Sequence, residues 1–265
     1  MSALSVRFLG TGTSHGVPMI GCRCETCLSA DSRDKRTRPS IAIELAGGTV
    51  LLVDTTPDLR AQALALDLRR VDAILFTHCH ADHVMGLDEV RRFNVLQDAA
   101  IPCFGDERTM REIRRTFSYI FESTDPGGGI PRIQLFRLGG PFALGGQEIV
   151  PVPVLHGERM ILGFRVGGFA YLTDCSAIPG ESWPLLDGLD TLAIDGLRHR
   201  PHPTHFTVEQ AVAVARRLGP RRTLLTHICH DLPHAATNAA LPPGVELAYD
   251  GLTITIEEKA LGARR

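Results

Sequence analysis

The apolar run Ala73-Ile74-Leu75-Phe76 stops abruptly at Thr77-His78-Cys79-His80-Ala81-Asp82-His83. A short apolar run that ends this way reads as a buried strand, and four ligand-type side chains follow it within six positions. Alternation at the strand end puts His78 and His80 on one side, and the turn through Ala81 brings Asp82 and His83 to a neighbouring point. That spacing suits two metal ions a few ångströms apart better than one. The arrangement recurs along the chain, where apolar runs also end at Asp54, His156, Asp174, Asp195 and His227. Buried strands that each release a polar side chain at the C-terminal end are how α/β folds build a site along one sheet edge.

The rest of the chain is compatible with one such fold. It has 265 residues, 44% hydrophobic and 22% charged, enough to bury a sizeable core in a soluble globular protein. Ser5–Leu9 reads as a first strand, and Ile41–Leu45 and Thr49–Val53 as a hairpin turning at Gly47-Gly48. Further strands are expected at Ala73–Phe76, Glu148–Leu155, Ile161–Val166, Ala170–Thr173, Thr191–Ile194 and Thr223–Thr226. Helical periodicity is expected from about Pro57, around Leu87–Leu96 and around Glu107–Phe117. Thr207 with Gln210 forms a capping box that opens a helix over Val208–Leu218. Ser118–Leu138, with Pro126-Gly127-Gly128-Gly129 and Pro131, reads as a long irregular loop.

A net charge of −2 argues against a generally basic nucleic-acid surface. Arginine supplies 26 of the 28 basic residues, as a coding bias would produce. The first residues run straight into an alternating pattern, so no signal peptide is expected, and nothing approaches the roughly 20 apolar residues of a membrane span. Seven cysteines lie beside histidines and aspartates rather than at regular spacings. They favour a reducing, cytoplasmic setting and metal chemistry over a disulfide framework.

The H-x-H-x-D-H motif resembles the signature of the metallo-β-lactamase superfamily. The resemblance requires a later histidine, an aspartate and a final histidine after further strands, and His156, Asp174 and His227 answer in that order. It implies a four-layer αβ/βα sandwich with two mixed β-sheets flanked by helices, in a single domain over residues 1–265. It implies that His78, His80 and His156 hold one divalent ion, Zn or Mn, that Asp82, His83 and His227 hold a second, and that Asp174 bridges them. Asp54 matches an aspartate that orients a ligand histidine from behind. Two divalent ions less Asp82, Asp174 and one hydroxide leave a charge of about +1, which attracts an anionic phosphodiester, and water bound to such ions reaches a pKa of about 7.

His205, just before the capped helix, resembles the histidine of the phosphodiesterase branches, and the resemblance makes it a general acid or phosphate contact. Gly10-Thr11-Gly12-Thr13 followed by Cys22, Cys24 and Cys27, then the main motif and Thr226-His227-x-x-His230, looks like the PhnP-type phosphodiesterases. In that subfamily three such cysteines and a C-terminal histidine bind a separate structural zinc, which here implies a clasp loop at 21–38 with Cys22, Cys24, Cys27 and His230 as ligands. Cys229 competes for the fourth place, and the resemblance favours His230. The implied substrate is a small, cyclic phosphodiester such as a ribosyl cyclic phosphate or a 2′,3′-cyclic nucleotide. Arg198, Arg38 and His15 are candidate substrate contacts. The alternatives are a tRNA 3′-processing nuclease, whose basic arm the 118–138 segment lacks, a thioester or lactone hydrolase, and a non-catalytic redox module built on the thiols. A homodimer is common among such relatives.

Overall fold

The computed structural model describes residues 3–122 and 129–257. Among these, fourteen strands form two sheets of seven. Strands β1 (Ala3–Gly10), β2 (Ser40–Glu44), β3 (Val50–Val53), β4 (Ala73–Leu75), β5 (Ile101–Gly105) and β6 (Ile133–Arg137) belong to the first. The second holds β7 (Phe142–Leu144), β8 (Gln147–His156), β9 (Arg159–Val166), β10 (Phe169–Leu172), β11 (Thr191–Asp195), β12 (Arg222–Thr226) and β13 (Val245–Leu247). The last strand, β14 (Thr253–Glu257), returns to the first sheet beside β1. Both sheets are mixed: β3 to β6 run parallel, as do β10 to β13, while β1–β2, β8–β9 and β9–β10 are antiparallel.

The sheets pack face to face. Leu51 and Val53 of β3 face Phe164, Val166 and Tyr171 of the second sheet. Val50 and Leu52 point the other way, into a layer that includes Leu59, Val90 and Phe93. A strand buried on both faces has no polar side to show, which is why β3 and β4 read as unbroken apolar runs. Helices α1 (Glu25–Leu28), α2 (Leu59–Ala65), α3 (Ala81–Val84), α4 (Arg91–Gln97), α5 (Glu107–Thr116) and α6 (Ser118–Glu122) follow strands of the first sheet. Helix α7 (Val208–Leu218) covers the second through Val208, Ala211, Val212 and Val214, and α8 (His234–Ala240) precedes β13. The result is the αβ/βα sandwich that the sequence resemblance implied.

Helix α7 has the expected limits: Gln210 N–H donates to Thr207 Oγ1 at 3.2 Å, and Thr207 N–H donates to Gln210 Oε1 at 2.8 Å. The expected irregular loop at 118–138 is a different matter. Its described parts contain α6 and β6, the latter pairing with β5 at a sheet edge. Two of the five residues of β6 alternate as half-buried apolar positions, Ile133 and Leu135, while Phe136 is exposed, so an edge strand carried too weak a signature to read. The Gly127-Gly128 part of the glycine run lies outside the described residues.

The parallel strands set the site. Chains running the same way bring Asp54 after β3, His78 after β4, Asp174 after β10, Asp195 at the end of β11 and His227 after β12 to one edge. Strand β8, two antiparallel steps from β10, delivers His156 to the same edge. No helix among the described residues is long and apolar enough to cross a membrane.

Candidate metal centre

Three of these strand-end residues have left-handed backbones: Asp54 at φ 64°, Asp174 at φ 55° and His227 at φ 57°. Non-glycine residues pay for that conformation, and it recurs where a site needs a side chain turned sharply out of a strand. Around them the donors fall into two adjoining sets. Ring nitrogens of His78, His80 and His156 lie within 4.8 Å of one another, and so do the ligand atoms of Asp82, His83, Asp174 and His227. Asp174 stands between the sets, because its carboxylate is also within 4.8 Å of His156 and His205 nitrogens.

The backs of the imidazoles are fixed. Asp54 is fully buried and accepts from Thr77 N–H at 2.8 Å, Thr77 O–H at 2.8 Å and His83 Nδ1 at 2.7 Å. Because the Thr77 hydroxyl donates to Asp54, its lone pairs receive His78 Nδ1 at 3.0 Å. Asp54 therefore orients His83 directly and His78 through Thr77. His156 Nδ1 donates to the Thr204 carbonyl at 2.9 Å. In each case Nδ1 is occupied and Nε2 is left for the centre.

The residues fit divalent ions. His78 Nε2, His83 Nε2 and His227 Nε2 are buried without a hydrogen-bond partner among the described residues, a costly state unless a ligand takes the lone pair. His83 Nε2 and His227 Nε2 each stand 3.2 Å from an Asp174 oxygen without hydrogen-bond alignment. Two donors each about 2.1 Å from one ion are separated by about 3.0–3.4 Å. Electrostatics agrees. Burial holds His78, His80 and His156 below the usual histidine range, as neutral imidazoles with a lone pair free to ligate. Burial also opposes charge on His227, yet Asp174 and Asp82 outweigh it and raise that imidazole to about 10. A pocket that pulls protons onto a buried ring is one that stabilises cations.

A separate cluster forms where the loop after β1 meets the loop after β12. His230 Nδ1 lies 3.2 Å from Cys22 Sγ, 3.5 Å from Cys24 Sγ and 3.6 Å from Cys27 Sγ. Tetrahedral zinc with bonds of about 2.3 Å to sulfur and 2.0 Å to nitrogen separates those atoms by about 3.5 Å. Backbone N–H groups of Cys24, Cys27 and Met19 point at Cys22, Cys24 and Cys27 in turn; the Cys27 amide holds the Cys24 thiol below its usual range, whereas burial pushes the Cys27 thiol up to about 11. Cys229 is outside this set, its sulfur instead facing Asp231 N–H at 3.3 Å.

The beta-lactamase superfamily domain matches residues 49–228. A crystal structure described as a new diphosphatase from the PhnP family superposes with a TM-score of 0.90 at 44% identity, covering 96% of this chain and 98% of that one. This chain belongs to the metallo-β-lactamase superfamily and is related to its PhnP family. An octanoyltransferase of Porphyromonas gingivalis is 38% identical over 257 residues, and the chain spans about half of it, 52% of its length. The zinc-bound PqqB of Methylobacterium extorquens, at 22% identity and a TM-score of 0.77, shares the superfamily fold.

Within this superfamily member, the sequence placed Asp195 at the site edge but gave it no partner. Asp195 accepts from His205 Nδ1 at 2.6 Å and from Cys175 N–H at 2.9 Å, and His205 stacks on His227 with ring centroids 4.5 Å apart. The signal was available, since Asp195 ends an apolar run, but nothing in the sequence said which side chain it faced. Arg36 was missed entirely. It is 1% exposed and donates to the Cys229 carbonyl at 2.9 Å, the Leu232 carbonyl at 2.7 Å and Asp34 at 3.0 Å, tying the cysteine loop to the loop that carries His227 and His230.

The nominated substrate contacts sit differently. Arg38 is ion-paired to Asp58 at 3.1 Å and donates to the Ser14 carbonyl. Arg198 donates to the carbonyls of Arg200 and Pro201, and His15 is exposed. Among the described residues no hydrogen bond or ion pair joins any of the three to the donor sets. In the 118–138 segment, Arg132 and Arg137 are paired with Asp98 and Glu107.

Asp54 yields a first prediction. Asn at position 54 cannot satisfy three donors, because its amide nitrogen would face an N–H or O–H. Asp54→Asn should weaken divalent-ion binding at the centre by roughly 10- to 100-fold, read by competition with a chromophoric chelator. An unchanged affinity would show that the aspartate does not orient His83.

Proposed function

We propose that the chain is a dinuclear metal-dependent phosphohydrolase that cleaves small phosphodiester-class substrates, with a third, structural zinc in the cysteine clasp. His78, His80 and His156 would hold one catalytic ion, Asp82, His83 and His227 the other, and Asp174 both. When bound, two divalent ions supply Lewis-acid stabilisation of charge on the phosphoryl oxygens and lower the pKa of water to about 7. The chain's own residues do the rest. Asp54 and the Thr204 carbonyl hold the imidazoles in register, and the neutral His78, His80 and His156 keep lone pairs turned inward.

The observation that carries a phosphoryl reaction is the His205–Asp195 pair beside the donor sets. Asp195 fixes the ring through Nδ1, leaving Nε2 to give a proton to the departing oxygen. The buried Cys175 amide holds Asp195 in turn. A leaving alkoxide needs that proton and a leaving nitrophenolate barely does. His205→Ala should therefore lower kcat by about 10²- to 10⁴-fold on an alkyl or nucleoside diester and far less on bis(4-nitrophenyl) phosphate. Equal losses on both would mean that His205 does not act as the acid.

A second reading, hydrolysis of a diphosphate, is favoured by the 44% identical relative described as a diphosphatase. The decisive assay loads purified protein with Zn or Mn and presents 2′,3′-cyclic nucleotides, linear diesters and diphosphates. A fully metallated sample inactive on all of them would overturn the proposal.

A further inference from the structure

We infer that Arg159 is a substrate-binding residue that takes a second anionic group, so that this site selects doubly charged diphosphate diesters over singly charged phosphodiesters. The inference rests on the phosphohydrolase reading and deepens it. Strands β8 and β9 are joined by the two-residue turn Gly157-Glu158, and His156 and Arg159 are direct cross-strand partners. Such partners point their side chains to the same face of the sheet. Arg159 is therefore delivered to the centre by the same backbone unit that delivers His156.

That turn is built to hold still. Gly157 takes φ 65°, and a Cβ there would lie 3.0 Å from the Thr204 side chain. Its N–H donates to Ser176 Oγ at 2.9 Å, and the Ser176 hydroxyl donates to the Leu155 carbonyl at 3.0 Å. The turn is thus tied to the segment that follows Asp174.

The guanidinium reaches the donor set, with Nη1 3.2 Å from His80 Nε2. No carboxylate ion-pairs with Arg159 among the described residues, in contrast to Arg38, Arg132, Arg137 and Arg200. An ion that takes the His80 lone pair removes the one side-chain hydrogen-bond acceptor this guanidinium has among the described residues and adds like charge beside it. A guanidinium at that rim needs an anion, and its fork suits phosphate oxygens. The two ions, Asp82, Asp174 and one hydroxide leave a charge of about +1, and Arg159 raises it to about +2. A phosphodiester neutralises half of that, whereas a diphosphate diester neutralises it all. In that reaction water adds its oxygen to one phosphorus and the bridging oxygen leaves with the other phosphate. One water proton ends on each product.

The test compares wild type, Arg159→Ala and Arg159→Lys, each loaded with metal and checked for unchanged metal content and thermal midpoint. Substrates are ADP-ribose, a diphosphate diester, and bis(4-nitrophenyl) phosphate, a single-charge diester. Calorimetric titration with methylenediphosphonate, which is not cleaved, reads binding without turnover. Arg159→Ala should raise KM for ADP-ribose and Kd for methylenediphosphonate by at least ~10-fold, with bis(4-nitrophenyl) phosphate changed less than ~3-fold. Arg159→Lys should recover part of the loss. Equal effects on both substrates, no effect on either, or loss of metal from Arg159→Ala would each overturn the inference. Wild type that cleaves the single-charge diester and not ADP-ribose would overturn it while leaving the phosphohydrolase reading intact. Wild type that cleaves neither would overturn both.

Discussion

Asp174→Asn should lower hydrolysis by at least ~1,000-fold relative to wild type and remove bound metal from the centre. Asparagine is the informative replacement, because position 174 has φ 55° and asparagine tolerates that backbone where alanine is strained. Loss of function in Asp174→Asn then reports on charge and ligation and not on a distorted turn. The carboxylate faces His83 and His227 at 3.2 Å on its two oxygens and lies beside the other donor set. An amide offers one acceptor oxygen and no charge, so it cannot serve both sets. Metal analysis should show fewer than the three ions per chain expected of wild type, with the clasp ion retained. A variant that keeps full metal content and activity would refute the bridging role.

The second large effect belongs to the clasp. Cys24→Ser should lower the ion count by one and the thermal midpoint by about 6–12 °C, which corresponds to ~3 kcal/mol for a chain of this size. The reason is connectivity. Cys22, Cys24 and Cys27 sit on the loop after β1, His230 sits three residues beyond His227, and Arg36 already crosses between the same two loops. Opening the clasp leaves Arg36 as a buried charge holding carbonyls on a loosened segment. Turnover per intact catalytic pair should fall less than ~10-fold, because the catalytic donors come from other strand ends. If instead the thiols sense redox state, mild oxidant should alter wild-type activity and have no effect on Cys24→Ser, with the midpoint unchanged.

Much of this site was legible before any coordinates. Two-sided burial writes strands β3, β4, β10, β11 and β12 as unbroken apolar runs, and the residue that ends each run names itself. The edge strands β6, β7, β13 and β14 were not read, since short strands with one wet face lose the contrast that marks them, and neither was the interior strand β5, whose Pro102 and terminal Gly105 break its apolar run. The helix after Thr207 was read to the residue because its capping box is a local interaction.

What the sequence determined by itself was the inventory of candidate metal-binding residues and its order, because each follows a locally encoded strand and the H-x-H-x-D-H turn is contiguous. Only the tertiary structure decided who faces whom. It set His230 and not Cys229 beside the three cysteine sulfurs, paired Asp195 with His205, let Asp54 hold His83 directly and His78 through Thr77, and committed Arg38 to Asp58 while leaving Arg159 at the rim. Those are contacts between segments far apart in the chain. Their partners are set by sheet order and by left-handed turns at strand ends, and neither leaves a mark in a local pattern.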